Sequence, residues 1–296
     1  MRRVLSFLLL VALAGAGAAW WLTAPQRVDE AAFAGLIGVP ARGEIVFHAG
    51  GCASCHSAEG AEGEAKLILS GGRAFASDFG TFHAPNISQD RDHGIGGWSV
   101  TDLANAMLHG TSPQGQHYYP AFPYTAYARA TPQDIADLHA YLTTLPADAT
   151  PSRSHDMGFP FTVRRGLGLW KLLYARDDWT VTGNLSEIET RGRYLAEALG
   201  HCAECHTPRD MFGGLDRSRW MGGAPNPSGR GTIPNITPAR LKWSEADLVE
   251  YFTSGFTPEY DTAGGSMTAV VESLAQLPRS DREALAAYLK RLTPVE

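Results

Sequence analysis

The sequence lacks the features that usually indicate a nucleic-acid-binding protein or a self-sufficient enzyme. Its 296 residues carry 25 Lys and Arg against 31 Asp and Glu, so there is no basic excess to hold a phosphate backbone. It shows no acid and base pair, nucleophile elbow or phosphate-binding loop that would indicate independent organic catalysis. Strand-like alternation of polar and apolar residues is scarce, which favours a mainly α-helical fold.

Cysteine is also scarce, and all four cysteines fall in two copies of one motif. C-x-x-C-H occurs at 52–56 and again at 202–206. Two thiols at this spacing can each bond one vinyl group of a porphyrin, and the adjacent histidine can ligate the iron. The sequence therefore predicts two covalently bound haem c groups. The expected attachment residues and proximal ligands are Cys52, Cys55, Cys202, Cys205, His56 and His206.

Zinc binding and thiol redox chemistry are the alternative uses of such cysteine pairs. Structural zinc sites usually collect their ligands over short separations, whereas 147 positions separate Cys55 from Cys202. A thioredoxin-like dithiol needs a strand followed by a helix, whereas Gly-rich loops and helix-like segments surround both motifs. Haem attachment is the interpretation that the spacing favours.

The N-terminus indicates export. Residues 1–24 contain two arginines followed by an apolar run from Val4 to Leu22. Such a segment is typical of an export signal and places the following domains in the periplasm. Small residues near Ala18 would allow cleavage, whereas a run of this length ending in two tryptophans also matches a membrane span. We expect residues 1–24 to be a signal peptide or, preferentially, an uncleaved anchor in the inner membrane.

The segments that follow the two motifs repeat each other. P-N-I-[ST] and W-S-x-x-D-L each occur once after each motif, at matching distances. An internal repeat of this kind predicts a duplicated domain. The expected division is a signal or anchor at 1–24, domain 1 at 40–147, an interdomain linker with a short helix at 148–183, and domain 2 at 184–296.

Local signals predict helices joined by long loops. Ser99 and Ser244 stand where helix N-caps belong, each with an acidic residue three positions later. Gly110 and Gly255 suit the C-terminal ends of the same two helices. A terminal helix is expected in each half, at about 132–145 and 279–292.

Both halves resemble class I cytochrome c domains. As a pair they are similar to the cytochrome c subunits of membrane-bound periplasmic alcohol, gluconate and related dehydrogenases. The resemblance spans about 40–296 and rests on the motifs above and on the segments 119–124 and 264–267. It implies a mainly α fold of two tandem class I cytochrome c domains. It also implies electron transfer from a periplasmic dehydrogenase to a downstream acceptor in the respiratory chain.

The resemblance assigns the distal ligands unequally. Class I cytochromes carry a methionine on the open face of the iron, in a loop between the last two helices, and Met267 occupies that place in the second half. The corresponding residue of the first half is Phe122, which cannot ligate iron. His117 is the expected distal ligand there. The alternatives are an open or water-bound iron, Met107, His83 or a tyrosine.

Three functions remain open at this point. The leading one is a dihaem electron carrier that serves a dehydrogenase. An open or labile distal site at the first haem would instead suit a dihaem oxidoreductase, such as a peroxidase or a thiosulfate dehydrogenase. The third is a membrane-tethered shuttle between respiratory complexes.

Two further expectations concern residues outside these sites. The basic and aromatic segment 164–174 is expected to form an interdomain helix that packs on both domains, the alternative being a docking surface for a dehydrogenase or the membrane. The remaining histidines, His201 among them, have no metal-like spacing and are expected at the surface.

Overall fold

The computed structural model describes residues 1–227 and 231–296, which are mainly α-helical, as the sequence predicts. The α-helices are α1 (Arg2–Leu22), α2 (Pro40–Ala49), α3 (Cys52–His56), α4 (Val100–His109), α5 (Tyr124–Tyr127), α6 (Pro132–Leu142), α7 (Gly166–Tyr174), α8 (Glu187–Arg193), α9 (Ala203–His206), α10 (Glu245–Ser254), α11 (Met267–Leu274) and α12 (Arg279–Arg291). A π-helical turn, Tyr194–Leu199, continues α8. Short 3₁₀ turns occupy Glu30–Phe33, Gly63–Leu67 and Arg217–Arg219.

Two small antiparallel sheets accompany the helices. The first has the order β1 (Ala74–Ser77), β2 (Gly80–His83) and β3 (Asp156–Met157), and the second pairs β4 (Ala224–Pro225) with β5 (Thr232–Ile233). These strands have two to four residues each. They shape the loops that follow the two C-x-x-C-H motifs, while the buried core is built mainly from helices.

The first and last helices of the first half cross in close contact. Helix α2 packs on α6 at Gly43, where a Cβ atom would lie 1.9 Å from the carbonyl oxygen of Asp137. The Nε and Nη2 atoms of Arg42 donate to the two carboxylate oxygens of Asp137 at 2.7 and 3.0 Å. A glycine contact and a two-point ion pair therefore fix this crossing.

The second half repeats the same crossing. Helix α8 packs on α12 at Gly192, where a Cβ atom would lie 1.9 Å from the carbonyl oxygen of Ala284. Arg191 donates to Asp281 through Nε and Nη2 at 2.9 and 2.8 Å. The two halves thus share their helix-packing contact, which agrees with the predicted duplication, and the domain bounds themselves stay a prediction.

The predicted helix caps are confirmed. Ser99 and Ser244 each cap a helix in a reciprocal capping box with the acidic residue three positions later. Gly110 and Gly255 end these helices in the left-handed conformation, with φ of 56° and 79°. The terminal helices also lie where they are predicted, and each ends slightly earlier than expected.

Helix α1 stands apart from this core. None of its 21 residues is buried, and its mean hydropathy of 2.0 makes it long and apolar enough to cross a membrane. A signal sequence would pass the same test. Signal peptide and uncleaved anchor therefore both stay as predictions.

The helix crossings give a first testable prediction. Gly43→Ala is expected to lower the free energy of unfolding by about 2–3 kcal/mol, because the new methyl group overlaps the α6 backbone. Gly97→Ala is the matched control, since no described residue other than its chain neighbours has an atom within 4 Å of its Cβ position. Denaturant unfolding followed by circular dichroism measures both. Equal stability of the two variants would contradict the described crossing.

Candidate haem-binding site

The first motif lies on a short helix, α3, and its histidine is held by a distant loop. The Nδ1 atom of His56 lies 2.9 Å from the carbonyl oxygen of Pro85. Because a carbonyl only accepts, Nδ1 carries the hydrogen of this bond and Nε2 keeps its lone pair. Burial lowers the pKa of His56 and favours the neutral ring. A neutral imidazole with a free Nε2 is the form that ligates a metal.

The second motif repeats this arrangement on α9. The Nδ1 atom of His206 lies 2.8 Å from the carbonyl oxygen of Pro234, and burial lowers the pKa of the ring. The backbone N–H of Gly223 donates to the His206 carbonyl at 2.8 Å, as that of Gly71 does to His56 at 2.7 Å. Both motif histidines are therefore oriented by the same two backbone contacts.

The asparagine after each proline secures the proline carbonyl. Asn86 donates through Nδ2 to the Asp148 carbonyl at 2.8 Å and accepts from the Ser88 N–H at 2.8 Å. Asn235 donates to the Val295 carbonyl at 2.6 Å and accepts in the same way from the residue two positions on. The P-N-I-[ST] segments thus tie the histidine-orienting loop to the C-terminal end of each half.

No disulfide joins Cys52, Cys55, Cys202 and Cys205, which all lie within the described residues, so both cysteine pairs are available for thioether bonds. Loss of solvation raises the pKa of Cys52 and of Cys202 to about 12. A dithiol exchange site needs the opposite shift. Among the described residues no group of three His, Cys, Asp or Glu side chains comes together as a metal site, and a haem iron needs none, because the porphyrin brings four ligands. Each motif therefore fits a haem c.

The two motifs lie side by side, which the sequence does not reveal. His201, directly before Cys202, places its Nε2 atom 3.2 Å from the carbonyl oxygen of Gly50, two positions before Cys52. The Tyr127 hydroxyl donates to the same carbonyl at 3.3 Å, and its ring meets the His201 ring edge-on at 5.7 Å. His201 is thus half-buried between the halves rather than free at the surface, a correction to the sequence-based expectation. The sequence signal that could have identified His201 is its position directly before the second C-x-x-C-H motif.

The loops that carry the distal positions have the same register in both halves. Thr111 bridges to His117 in the first half as Phe256 bridges to Thr262 in the second. Five residues beyond each bridge the chain reaches Phe122 in the first half and Met267, the half-buried first residue of α11, in the second, so these two residues correspond. The Phe122 ring packs at 5.7 to 6.5 Å from the rings of three tyrosines, Tyr118, Tyr124 and Tyr127.

His117 is buried, and its ring is bound on one side only. Its Nε2 atom lies 3.0 Å from the carbonyl oxygen of Thr23, so Nε2 carries the hydrogen. The Nδ1 atom is buried and without a hydrogen-bond partner in the described part of the chain. Nδ1 is therefore the atom of His117 with a free lone pair, and its role as a distal ligand stays a prediction.

The other candidates for this position lie in different surroundings. Met107 is buried in the helical core, as expected for a packing residue. The Nε2 atom of His83 lies 3.0 Å from an Asp156 carboxylate oxygen. Within residues 1–227 and 231–296, neither the buried Nδ1 atom of His83 nor the buried hydroxyl group of Tyr124 has a hydrogen-bond partner.

The helical fold and the paired C-x-x-C-H motifs define a protein of the c-type cytochrome class. The cytochrome c family model matches residues 40–146, which contain the first motif. The chain is 58% identical over 296 residues to a diheme cytochrome c-type protein of Cereibacter sphaeroides, with full coverage of both chains. The chain therefore belongs to the cytochrome c family.

More distant relatives are cytochrome subunits of dehydrogenases. The chain is 36% identical over 267 residues to the fructose dehydrogenase cytochrome subunit of Gluconobacter japonicus. It is 34% identical over 265 residues to the gluconate 2-dehydrogenase cytochrome c subunit of Pantoea cypripedii. These matches cover 84% and 85% of this chain but only 51% and 59% of the relatives. The predicted resemblance to this group is confirmed.

Proposed function

We propose that this protein is a periplasmic dihaem cytochrome c that carries electrons from a dehydrogenase towards the respiratory chain. The observation that carries the proposal is the pair of adjacent C-x-x-C-H motifs, each with its histidine oriented by a proline carbonyl. Haem c, once bound, supplies one-electron chemistry at its iron. The dehydrogenase partner is supported by the relatives, several of which are cytochrome subunits of such enzymes.

The residues of the motifs hold and tune the two metal centres. The thiols of Cys52, Cys55, Cys202 and Cys205 would form the covalent attachment to haem, and His56 and His206 would ligate the iron through Nε2. Hydrogen bonds from Nδ1 to the proline carbonyls fix the orientation of both rings and increase the basicity of Nε2.

The two centres differ on their distal side. Met267 would serve the second haem, and a His/Met pair raises the reduction potential. At the first haem, where Phe122 holds the corresponding position, Nδ1 of His117 would take this role, since it is buried without a hydrogen-bond partner among the described residues. Unequal ligands of this kind would give the two haem groups different potentials and electron transfer between them a preferred direction. The contact of His201 with Gly50 keeps the two motifs adjacent for this transfer.

A second candidate function is that of a dihaem oxidoreductase with an open site at the first haem. The specific observation in its favour is Phe122, an apolar side chain in the register of the ligand. Rapid cyanide or carbon monoxide binding at one haem, together with peroxide turnover, would favour this function over electron transfer.

Affinity purification of the full-length chain from its native membranes tests the leading proposal. A flavin or quinone dehydrogenase is expected to co-purify, and its substrate is expected to reduce the haem groups. Tagged chain with both C-x-x-C-H histidines replaced serves as the control for haem-dependent reduction. Haem groups that stay oxidised with every dehydrogenase substrate, or purification without such an enzyme, would favour a free shuttle.

Restoring the methionine in the first half gives a second testable prediction. Phe122→Met is expected to create a second His/Met site, because the register of Phe122 matches that of Met267. The potential of the first haem should rise, and the absorption band typical of Met-ligated ferric haem should about double. Phe122→Leu is the control, as it changes packing without adding a sulfur. Because the methionine has to displace His117, the variant is also made together with His117→Ala, and an unchanged potential in that double variant would contradict the register.

A further inference from the structure

Helix α7 turns an apolar side towards solvent. Its residues Leu169, Leu172 and Leu173 are 57%, 52% and 58% exposed, and their spacing places them on one side of the helix. The nearby loop residues Met211 and Phe212 are also exposed. The indole N–H of Trp170 donates to the Phe212 carbonyl at 2.9 Å and joins the loop to the helix. These five apolar residues are called the interfacial face below.

The opposite side of α7 is fixed to both halves of the protein. The Lys171 ammonium donates to the carbonyls of His109 and Gly110 at 2.6 and 2.8 Å. The Tyr174 hydroxyl donates to an Asp210 carboxylate oxygen at 2.7 Å. The predicted interdomain helix is therefore present, but its leucines do not pack in the core. Exposed leucines on a helix that is so firmly held indicate contact with another apolar phase.

The beginning of α7 lies against the end of α1. The Arg165 guanidinium lies 4.0 Å from the centre of the Trp20 ring and donates to the Trp20 carbonyl. At Gly168 a Cβ atom would lie 2.3 Å from the Thr23 carbonyl oxygen, so the two segments touch through backbone. His117 holds the same carbonyl from the domain side.

These contacts set the depth of α7 relative to a bilayer. Helix α1 is apolar, fully exposed and ends in Trp20, Trp21 and Leu22, as a span with an interfacial aromatic belt does. A helix in contact with Trp20 and Thr23 must then lie at the level of the lipid headgroups. An apolar side with arginines near one end suits this boundary.

We propose that the interfacial face rests on the lipid bilayer that α1 enters, at the boundary of headgroups and acyl chains. The leucines of α7 and the Met211–Phe212 loop insert, and the haem-binding halves are held in one orientation above the membrane. This inference rests on the predicted retention of α1 as an uncleaved membrane anchor. The bilayer is favoured over a protein partner because the face is continuous with α1.

Spin labelling of the full-length holoprotein in nanodiscs tests this inference. The nanodiscs contain phosphatidylcholine with phosphatidylglycerol. Leu172→Cys and Leu173→Cys each introduce a free thiol, while the native thiols are expected to be bonded to haem. Ile37→Cys is the matched control, an exposed apolar residue outside the face, at 80% exposure. The ratio of collisions with oxygen to collisions with an aqueous nickel chelate is expected to be several-fold higher at both leucine positions than at Ile37.

The outcomes separate the inference from the function on which it rests. Equal ratios at Leu172, Leu173 and Ile37 would overturn the inference, as would shielding of the leucine labels from both reagents, which indicates a protein contact. A purified chain that lacks residues 1–22 by mass spectrometry would also overturn it. Haem content and redox spectra are recorded on the same samples, so failure of the electron-transfer proposal is seen independently.

Discussion

His206→Ala protein is expected to retain at most one normally ligated haem. His206 is the proximal ligand of the second site, and the Pro234 contact that orients its Nε2 atom disappears with the ring. Without the His206 ring, the His/Met spectrum of the second site should be lost, while the first site keeps its own spectrum. His56→Ala is expected to give the converse result. Visible and electron paramagnetic resonance spectra of the purified variants measure both.

A histidine outside the motifs provides the control for this experiment. His93 is exposed and its ring lies 3.2 Å from an Asp90 carboxylate oxygen in its own loop, so His93→Ala should leave both haem spectra unchanged. An intact His/Met spectrum in His206→Ala protein would show that the proximal assignment is wrong.

Met267→Ala protein is expected to have a markedly lower potential at one haem and to become high-spin there. The thioether stabilises the reduced iron, and its loss leaves the distal position to water or to no ligand. Axial ligands span about 0.8 V of haem potential, so we expect a fall of at least about 0.1 V. Spectroelectrochemical titration measures this fall.

Met211→Ala is the matched control, because Met211 lies in the same half and is 82% exposed. Its titration should match that of the native protein. If Met267→Ala leaves the reduction potentials of both haem groups unchanged, a residue other than Met267 ligates the second iron. That result would contradict the proposed difference between the distal ligands of the two haem groups.

The features that are encoded locally could be predicted from the sequence. The capping boxes at Ser99 and Ser244 and the glycines that end both helices each depend on residues within one or two turns. The C-x-x-C-H motifs are equally local, since two thiols and a histidine at fixed spacing suffice. The internal repeat of these motifs likewise predicts the order of helices that the two halves share.

The features that depend on packing between distant segments could not be predicted. The contact of His201 with Gly50 joins residues from different halves, and its histidine looks unremarkable in the sequence. The outward leucines of α7 have the same spacing as core leucines, and only the fold decides which side is covered. Strands β1 and β2 are too short for their alternation to be detected.

The distal ligand of the first haem could be predicted only in part from the sequence. The sequence register identifies Phe122 as the residue that replaces the methionine, and the matching loop bridges in both halves agree with that register. The sequence does not reveal which nitrogen of His117 is free. The Thr23 contact supplies that information, since it occupies Nε2 and leaves Nδ1 with its lone pair.

Redox-titrated visible and electron paramagnetic resonance spectroscopy of the purified full-length protein tests the central claim most directly. We predict two haem c groups per chain with separate potentials, one with His/Met ligation and one without a methionine ligand. A single haem per chain, or two indistinguishable His/Met centres, would contradict the proposed duplication with unequal distal ligands.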